Sequence, residues 1–177
     1  MTAAGGRLAP DLVTRYAEAL KAKGGRFFVM YGQTEATARM AYLPPEEATR
    51  HPDCIGIAIP GGRFRIAGPD GQTVTAPGQE GELFYSGPNV MMGYATARDD
   101  LVRGPELAEL ATGDIAVSTD SGLIRLLGRA RRFSKIAGLR IGHEAIEFAL
   151  RARAIACAIT GDDETITVHA EPTHQDV

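Results

Sequence analysis

The stretch FFVMYGQTE, residues 27–35, decides how the fold is read. Phe27, Phe28, Val29 and Met30 are too few for a helix and rich in β formers, so they read as a buried strand. That strand runs directly into Tyr31-Gly32-Gln33-Thr34-Glu35, a glycine-bearing loop carrying a hydroxyl and a carboxylate. In open α/β sheets, ligands bind just past such strand ends. Upstream, Leu12, Val13, Tyr16, Ala17, Ala19 and Leu20 recur at helical spacing across residues 10–23. Asp11 sits in the first turn and Gly24-Gly25 supplies the stop. Before the helix, Ala3-Ala4-Gly5-Gly6 reads as a strand exit and a glycine turn. Residues 1–54 are therefore the end of an α/β subdomain.

From Ile55 the pattern changes. Residues 55–60, 63–66, 81–85 and 122–127 are short β-like segments between Gly, Pro and Asp turns, and GPDG (68–71) and PG (77–78) read as hairpin connections. The expected architecture for 55–127 is a distorted antiparallel β-barrel subdomain. GRARRFS, 128–134, is a polar, basic joint expected to act as a hinge. A helix over 141–152 and strands over 154–159 and 165–170 then form a small α+β domain, 135–177. The fold class is thus α/β plus β, with 1–127 as one body and 135–177 as a truncated second one. Both chain ends read as cuts.

Composition excludes several classes. A formal net charge of -3 over 177 residues offers no basic field for nucleic acid. The 44% hydrophobic and 23% charged residues are ordinary globular usage, with no apolar run near the roughly 20 residues of a membrane span. Met1 is followed by no signal-peptide pattern. Cys54 and Cys157 lie far apart without metal-ligand spacing, so they read as free thiols in a reducing, cytoplasmic setting.

Four motifs could carry chemistry. In YGQTE, Tyr31 offers an aromatic face, Thr34 a hydroxyl and Glu35 a carboxylate able to hold Mg²⁺, with Gly32 allowing close backbone approach; an ordinary strand-to-loop junction is the alternative. GELFYSG (81–87), followed by Asn89 and Met92-Gly93-Tyr94, reads mainly as architecture, with Tyr94 the residue most open to a further role. Thr112-Gly113-Asp114, placed at the start of a strand over 115–117, could hold ribose hydroxyls or be a simple Asx turn. Arg129 could offer a planar donor fork. The basic run from Arg129 to Arg140 could equally be a solvated face.

Their order and spacing are more specific. YGQTE, GELFYSGPNVMMGY, TGD and GRxxxxxKxxGxRI in succession resemble the core motifs of the adenylate-forming superfamily, which includes acyl-CoA synthetases, peptide-synthetase adenylation domains and luciferases. The resemblance covers nearly all of residues 5–170. It implies an AMP-forming acid–thiol ligase, of the kind that activates fatty or aryl acids. A carboxylic acid and ATP give acyl-AMP and pyrophosphate, and the acyl group passes to a thiol, commonly that of CoA.

By the resemblance, Tyr31 would stack on adenine, Thr34 would touch the α-phosphate and Glu35 would bind Mg²⁺. Gly32 and Gln33 belong to the same nucleotide loop. Asp114 and Arg129 would hold the ribose. Gly5 and Gly6 match the glycine turn beside the adenine and acyl pocket, and Gly138 lies in the loop lining the path of the thiol. The pivot position falls on Arg131, where the family usually has Asp or Lys. The phosphate-gripping Ser/Thr/Gly-rich loop and the late lysine of the family do not occur in this sequence, so the fragment alone is expected to be inactive. Gln33 is more like CoA synthetases than peptide-synthetase domains, where Pro is commoner. A carrier-protein thiol as acceptor, and a non-catalytic nucleotide-binding module on the same scaffold, remain the alternatives.

Overall fold

A computed structural model of the chain describes residues 1–136, 139–162 and 164–170. These form two compact units. The first comprises residues 1–112 and 116–126, and the second residues 113–115 together with the described residues from 127 onward.

The first unit opens with β1 (Thr2–Ala3), α1 (Pro10–Lys21) and β2 (Phe28–Tyr31). Thr2 faces Phe28 in a parallel pair, so this is a β–α–β step as the sequence implies. Pro10 fits the first helical turn, where its missing N–H costs nothing, and Asp11 and Lys21 complement the helix dipole. The helix stops two residues before the expected end. Gly24 takes a left-handed φ of +71°, and the Gly25 N–H donates back to the Leu20 carbonyl at 2.8 Å. Val13 and Ala17 bury their side chains with Phe27, Leu43, Ala48, Cys54 and Leu123. Phe27 is buried, whereas the strand proper is half-buried along its length, so burial peaks one residue before β2.

β3 (Ala41–Leu43) follows, unannounced in the sequence, and pairs antiparallel with β2, Tyr31 opposite Ala41. Next come β4 (Cys54–Ala58), β5 (Arg63–Ala67), β6 (Gly81–Ser86), β7 (Leu110–Ser118) and β8 (Ile124–Arg129). The strand order is β1-β2-β3-β4-β8-β7-β6-β5. The expected barrel is not what this order gives: among the described residues the sheet is open, with β1 and β5 at its edges. β3 bonds β2 on one side and β4 on the other, so the α/β step and the antiparallel strands are linked across the expected boundary at residue 54. GPDG makes the expected turn, with Gly71 N–H bonded to Gly68 O at 2.9 Å, but leads to a single bridge between Ala67 and Thr73 rather than a new strand.

In the second unit, β9 (Phe133–Ile136) and β10 (Leu139–Gly142) form an antiparallel pair, followed by α2 (His143–Arg151) and the hairpin of β11 (Cys157–Gly161) and β12 (Ile166–Ala170). The expected helix start at 141 is corrected to His143, because Leu139–Gly142 is taken up by pairing with β9. Parts of GRARRFS belong to strands. Gly128 and Arg129 end β8, Phe133 and Ser134 begin β9, and only residues 130–132 turn. Nor is the arginine run simply a solvated face: Arg132 pairs with Glu147 and Glu144, and Glu147 also accepts the Ile159 N–H at 2.8 Å. No helix of the described residues is long and apolar enough to cross a membrane.

Candidate functional site

YGQTE leaves the carboxyl end of β2 as a tightly folded loop. Thr34–Ala36 makes one 3-10 turn, and Thr37 and Ala38 then take left-handed φ values of 56° and 59°. The Met40 N–H bonds Tyr31 O at 2.8 Å and the Ala38 N–H bonds Gln33 O at 2.9 Å, closing the loop on itself. Gly32 is required by space. A Cβ there would lie 2.5 Å from the Ala38 carbonyl carbon and 2.7 Å from the Arg39 nitrogen, both backbone atoms. The Tyr31 ring packs against Phe64, with centroids 6.4 Å apart and planes tilted by 49°. Thr34 is exposed, and Gln33 and Glu35 are half-buried.

The second motif is more than architecture. Tyr85, fully buried, donates its hydroxyl to Asn89 Oδ1 at 2.8 Å. Asn89 Nδ2 donates in turn to Ala36 O at 2.8 Å and Arg39 O at 2.9 Å, on the far side of the YGQTE loop. The Met91 N–H bonds Glu35 O at 2.8 Å. Tyr94, largely exposed, donates its hydroxyl to Glu35 Oε1 at 2.9 Å, and that hydrogen bond raises the phenol pKa above its ordinary value. Sequence reasoning singled out Tyr94 but gave Asn89 no role. The signal available was the glycine pair around Tyr85: a Cβ at Gly62 or Gly87 would meet the tyrosine ring or hydroxyl at 2.8 Å or less.

Asp114 and Arg129 both belong to the second unit. Asp114 is not at a strand start, as expected, but in the middle of β7, where Gly113 interrupts the strand with a φ of +71°. Gly113 O accepts the Ala130 N–H at 2.8 Å, which brings the end of β8 alongside. Arg129 Nε then lies 3.0 Å from Asp114 Oδ1, an ion pair between a nearly buried carboxylate and a half-exposed guanidinium. Thr112, also buried, donates its hydroxyl to Leu83 O at 2.7 Å and serves the fold.

The other expected positions are less constrained. Gly5 has a φ of +90°, which favours glycine, whereas a Cβ at Gly6 would meet open space. Arg131 is exposed in the turn between β8 and β9. Gly138 lies outside the described residues. Among the described residues no group of three or more His, Cys, Asp or Glu could cage a metal ion. A single carboxylate beside a hydroxyl is nevertheless the protein share that Mg²⁺ commonly takes, since it keeps several waters and binds substrate phosphates. Thr34 and Glu35 fit that donor set.

Comparison with known proteins bears on family and fold. A family model for AMP-binding enzymes matches residues 1–95. The long-chain-fatty-acid–CoA ligase of Salmonella typhimurium is 32% identical over 120 residues, 66% of this chain and 20% of that protein. The 2-succinylbenzoate–CoA ligase of Geobacillus sp. is 31% identical over 159 residues, 84% of this chain and 30% of its own length. The chain therefore spans about a fifth to a third of the curated relatives it matches. In fold, it superposes on o-succinylbenzoate CoA synthetase from Bacillus subtilis, solved with an acyl-adenylate intermediate, with a TM-score of 0.78 at 23% identity, over 97% of this chain and 36% of that one. The amide bond synthetase McbA from Marinactinospora thermotolerans gives 0.74 at 22% identity, over 99% and 37%. On the match across residues 1–95, this chain belongs to the AMP-binding enzyme family.

Proposed function

We propose that this chain is part of an AMP-forming acid–thiol ligase and supplies the adenosine side of its site. In the first half-reaction an oxygen of a carboxylic acid attacks the α-phosphorus of ATP, the bond to the β-phosphate breaks, and acyl-AMP and pyrophosphate result. In the second, a thiol, for which CoA is the proposed donor, attacks the acyl carbon; AMP leaves and a thioester forms. The observation that carries the reading is the closed YGQTE loop, which presents Thr34 and Glu35 at the end of β2. The Asp114–Arg129 pair, in the second unit, supports it.

Tyr31 would give adenine a ring already packed against Phe64. Asp114, ion-paired with Arg129, would accept from ribose hydroxyls. Thr34 would donate to the α-phosphate, and Glu35, half-buried and held by Tyr94, would be the metal ligand. Mg²⁺ supplies positive charge against the phosphate oxygens as the reaction proceeds. Between the half-reactions the residues from 135 onward would turn about residues 128–134, with Arg131 as pivot.

The test is exchange of labelled pyrophosphate into ATP by the reading frame that carries this sequence, across a panel of carboxylic acids. Exchange should depend on an acid and be lost in Glu35→Gln. Acid-independent exchange, or cleavage of ATP to ADP and phosphate, would overturn the proposal.

A further inference from the structure

We propose that Tyr85 and Asn89 are positioning residues: a buried tyrosine sets an asparagine amide that clamps the YGQTE loop and so sets Thr34 and Glu35. The inference rests on the reading of that loop as part of the nucleotide site, and every residue in it lies within the first unit.

The loop is costly to hold. Thr37 and Ala38 are consecutive non-glycine residues in the left-handed region, a conformation that persists only where the surroundings over-determine it. Their flanking carbonyls, Ala36 O and Arg39 O, both accept from Asn89 Nδ2. One amide group thus spans the strained pair from both sides. Only an amide can do this while its oxygen is engaged, because it carries two donors and a separate acceptor. The two carbonyls only accept, so they fix Nδ2 toward the loop, and the amide oxygen is left to accept from the Tyr85 hydroxyl at 2.8 Å.

Tyr85 itself has no freedom to move. It is fully buried, its ring lies 5.3 Å from Phe64, and Gly62 and Gly87 leave room that no side chain there could share. Phe64 packs in turn on Tyr31, so the same aromatic stack reaches the first residue of YGQTE. The Met91 N–H on Glu35 O adds a third tie from the same segment, two residues beyond Asn89. An oxygen in place of Nδ2, as in Asn89→Asp, would face two carbonyls and push the loop open, with almost no change in side-chain volume.

The experiment compares wild type, Asn89→Asp and Tyr85→Phe by amide hydrogen exchange and by calorimetry with AMP and with ATP plus Mg²⁺. Tyr85→Phe removes one hydroxyl and keeps the packed ring, so it carries the test should Asn89→Asp fail to fold. The expected result is at least tenfold faster exchange at Ala38 and Met40, with the β5–β6 amides unchanged. Nucleotide affinity should fall at least tenfold in parallel. Wild-type exchange at Ala38 and Met40 in the variants would overturn the clamp. So would uniform loss of protection throughout the first unit, which would mark both residues as general fold residues. Loosened amides with unaltered nucleotide affinity would overturn the positioning role. Failure of the wild-type chain to bind either nucleotide would instead sink the nucleotide reading on which that role depends.

Discussion

Replacing Gly32 by alanine tests whether the loop after β2 is closed as tightly as its hydrogen bonds imply. The added methyl would lie 2.5 Å from the Ala38 carbonyl carbon, 2.6 Å from its oxygen and 2.7 Å from Arg39 nitrogen. Carbon atoms pack at roughly 3.5–4.0 Å, so this backbone would have to retreat by about 1 Å. Such a shift would stretch the Met40–Tyr31 and Ala38–Gln33 bonds, now 2.8 and 2.9 Å, beyond useful length. Each net hydrogen bond contributes about 1 kcal/mol. Overpacking that cannot relax costs about 1–3 kcal/mol. The loop can relieve the clash or keep its bonds but not both, so the expected loss is about 2–3 kcal/mol. With a urea m-value of about 2 kcal/mol/M, the midpoint should fall by roughly 1 M. Gly71→Ala is the control: its Cβ would meet open space and only its φ of +76° opposes a side chain, so about 1 kcal/mol should be lost. The chain has no tryptophan, so far-UV circular dichroism is the probe. A Gly32→Ala midpoint no lower than that of Gly71→Ala would refute the reasoning.

Three further outcomes follow from single contacts. Burial, then the neighbouring Asp53 charge, pushes the Cys54 thiol up to about 11, so maleimide at neutral pH should label Cys157, which is partly exposed, and spare Cys54 until urea unfolds the chain. Because the folded value exceeds the ordinary 9.0, the Cys54 contribution to stability should persist below pH 9 and fade as pH rises toward 11. Burial opposes ionisation of Glu147, but the Ile159 N–H and Arg132 outweigh it and hold its carboxyl below the usual 4.5. The stability it contributes is therefore present above pH 4.5 and lost on acidification below it, and Glu147→Gln should flatten that part of an acid-unfolding curve. Ultraviolet titration should show a late phenol ionisation that Tyr94→Phe removes.

What the sequence displayed clearly was whatever rests on local chemistry. The helix at Pro10–Lys21 shows its periodicity and its glycine stop, and β2 shows its β-forming run. Hidden features were those decided by non-local pairing. Ala-Tyr-Leu at β3 is too short to show any alternation, yet it joins two halves that composition alone separates. Residues 139–142 look like the start of a helix until β9 captures them. The roles proposed for Tyr31, Glu35, Asp114 and Arg129 come from the order and spacing of their motifs, since each residue type alone also suits an ordinary turn or a solvated face. Asn89 was not legible, since its partners lie 50 and 53 residues away and are backbone carbonyls, which no sequence pattern reveals. Arg132 was obscured in the same way by Glu147, fifteen residues on and around a helix.

The central proposal is that Asp114, in the second unit, takes part in holding the ribose of an adenine nucleotide. Calorimetry of the wild-type chain and Asp114→Ala with AMP and with ATP tests it most directly, with circular dichroism confirming that both are folded. AMP and ATP should bind with similar affinity, because the roles proposed for these residues involve only the nucleoside and its first phosphate. Asp114→Ala should weaken both by at least tenfold, about 1.4 kcal/mol, since it removes acceptors common to the two. Undiminished binding by Asp114→Ala, or no AMP binding by the folded wild-type chain, would contradict the account.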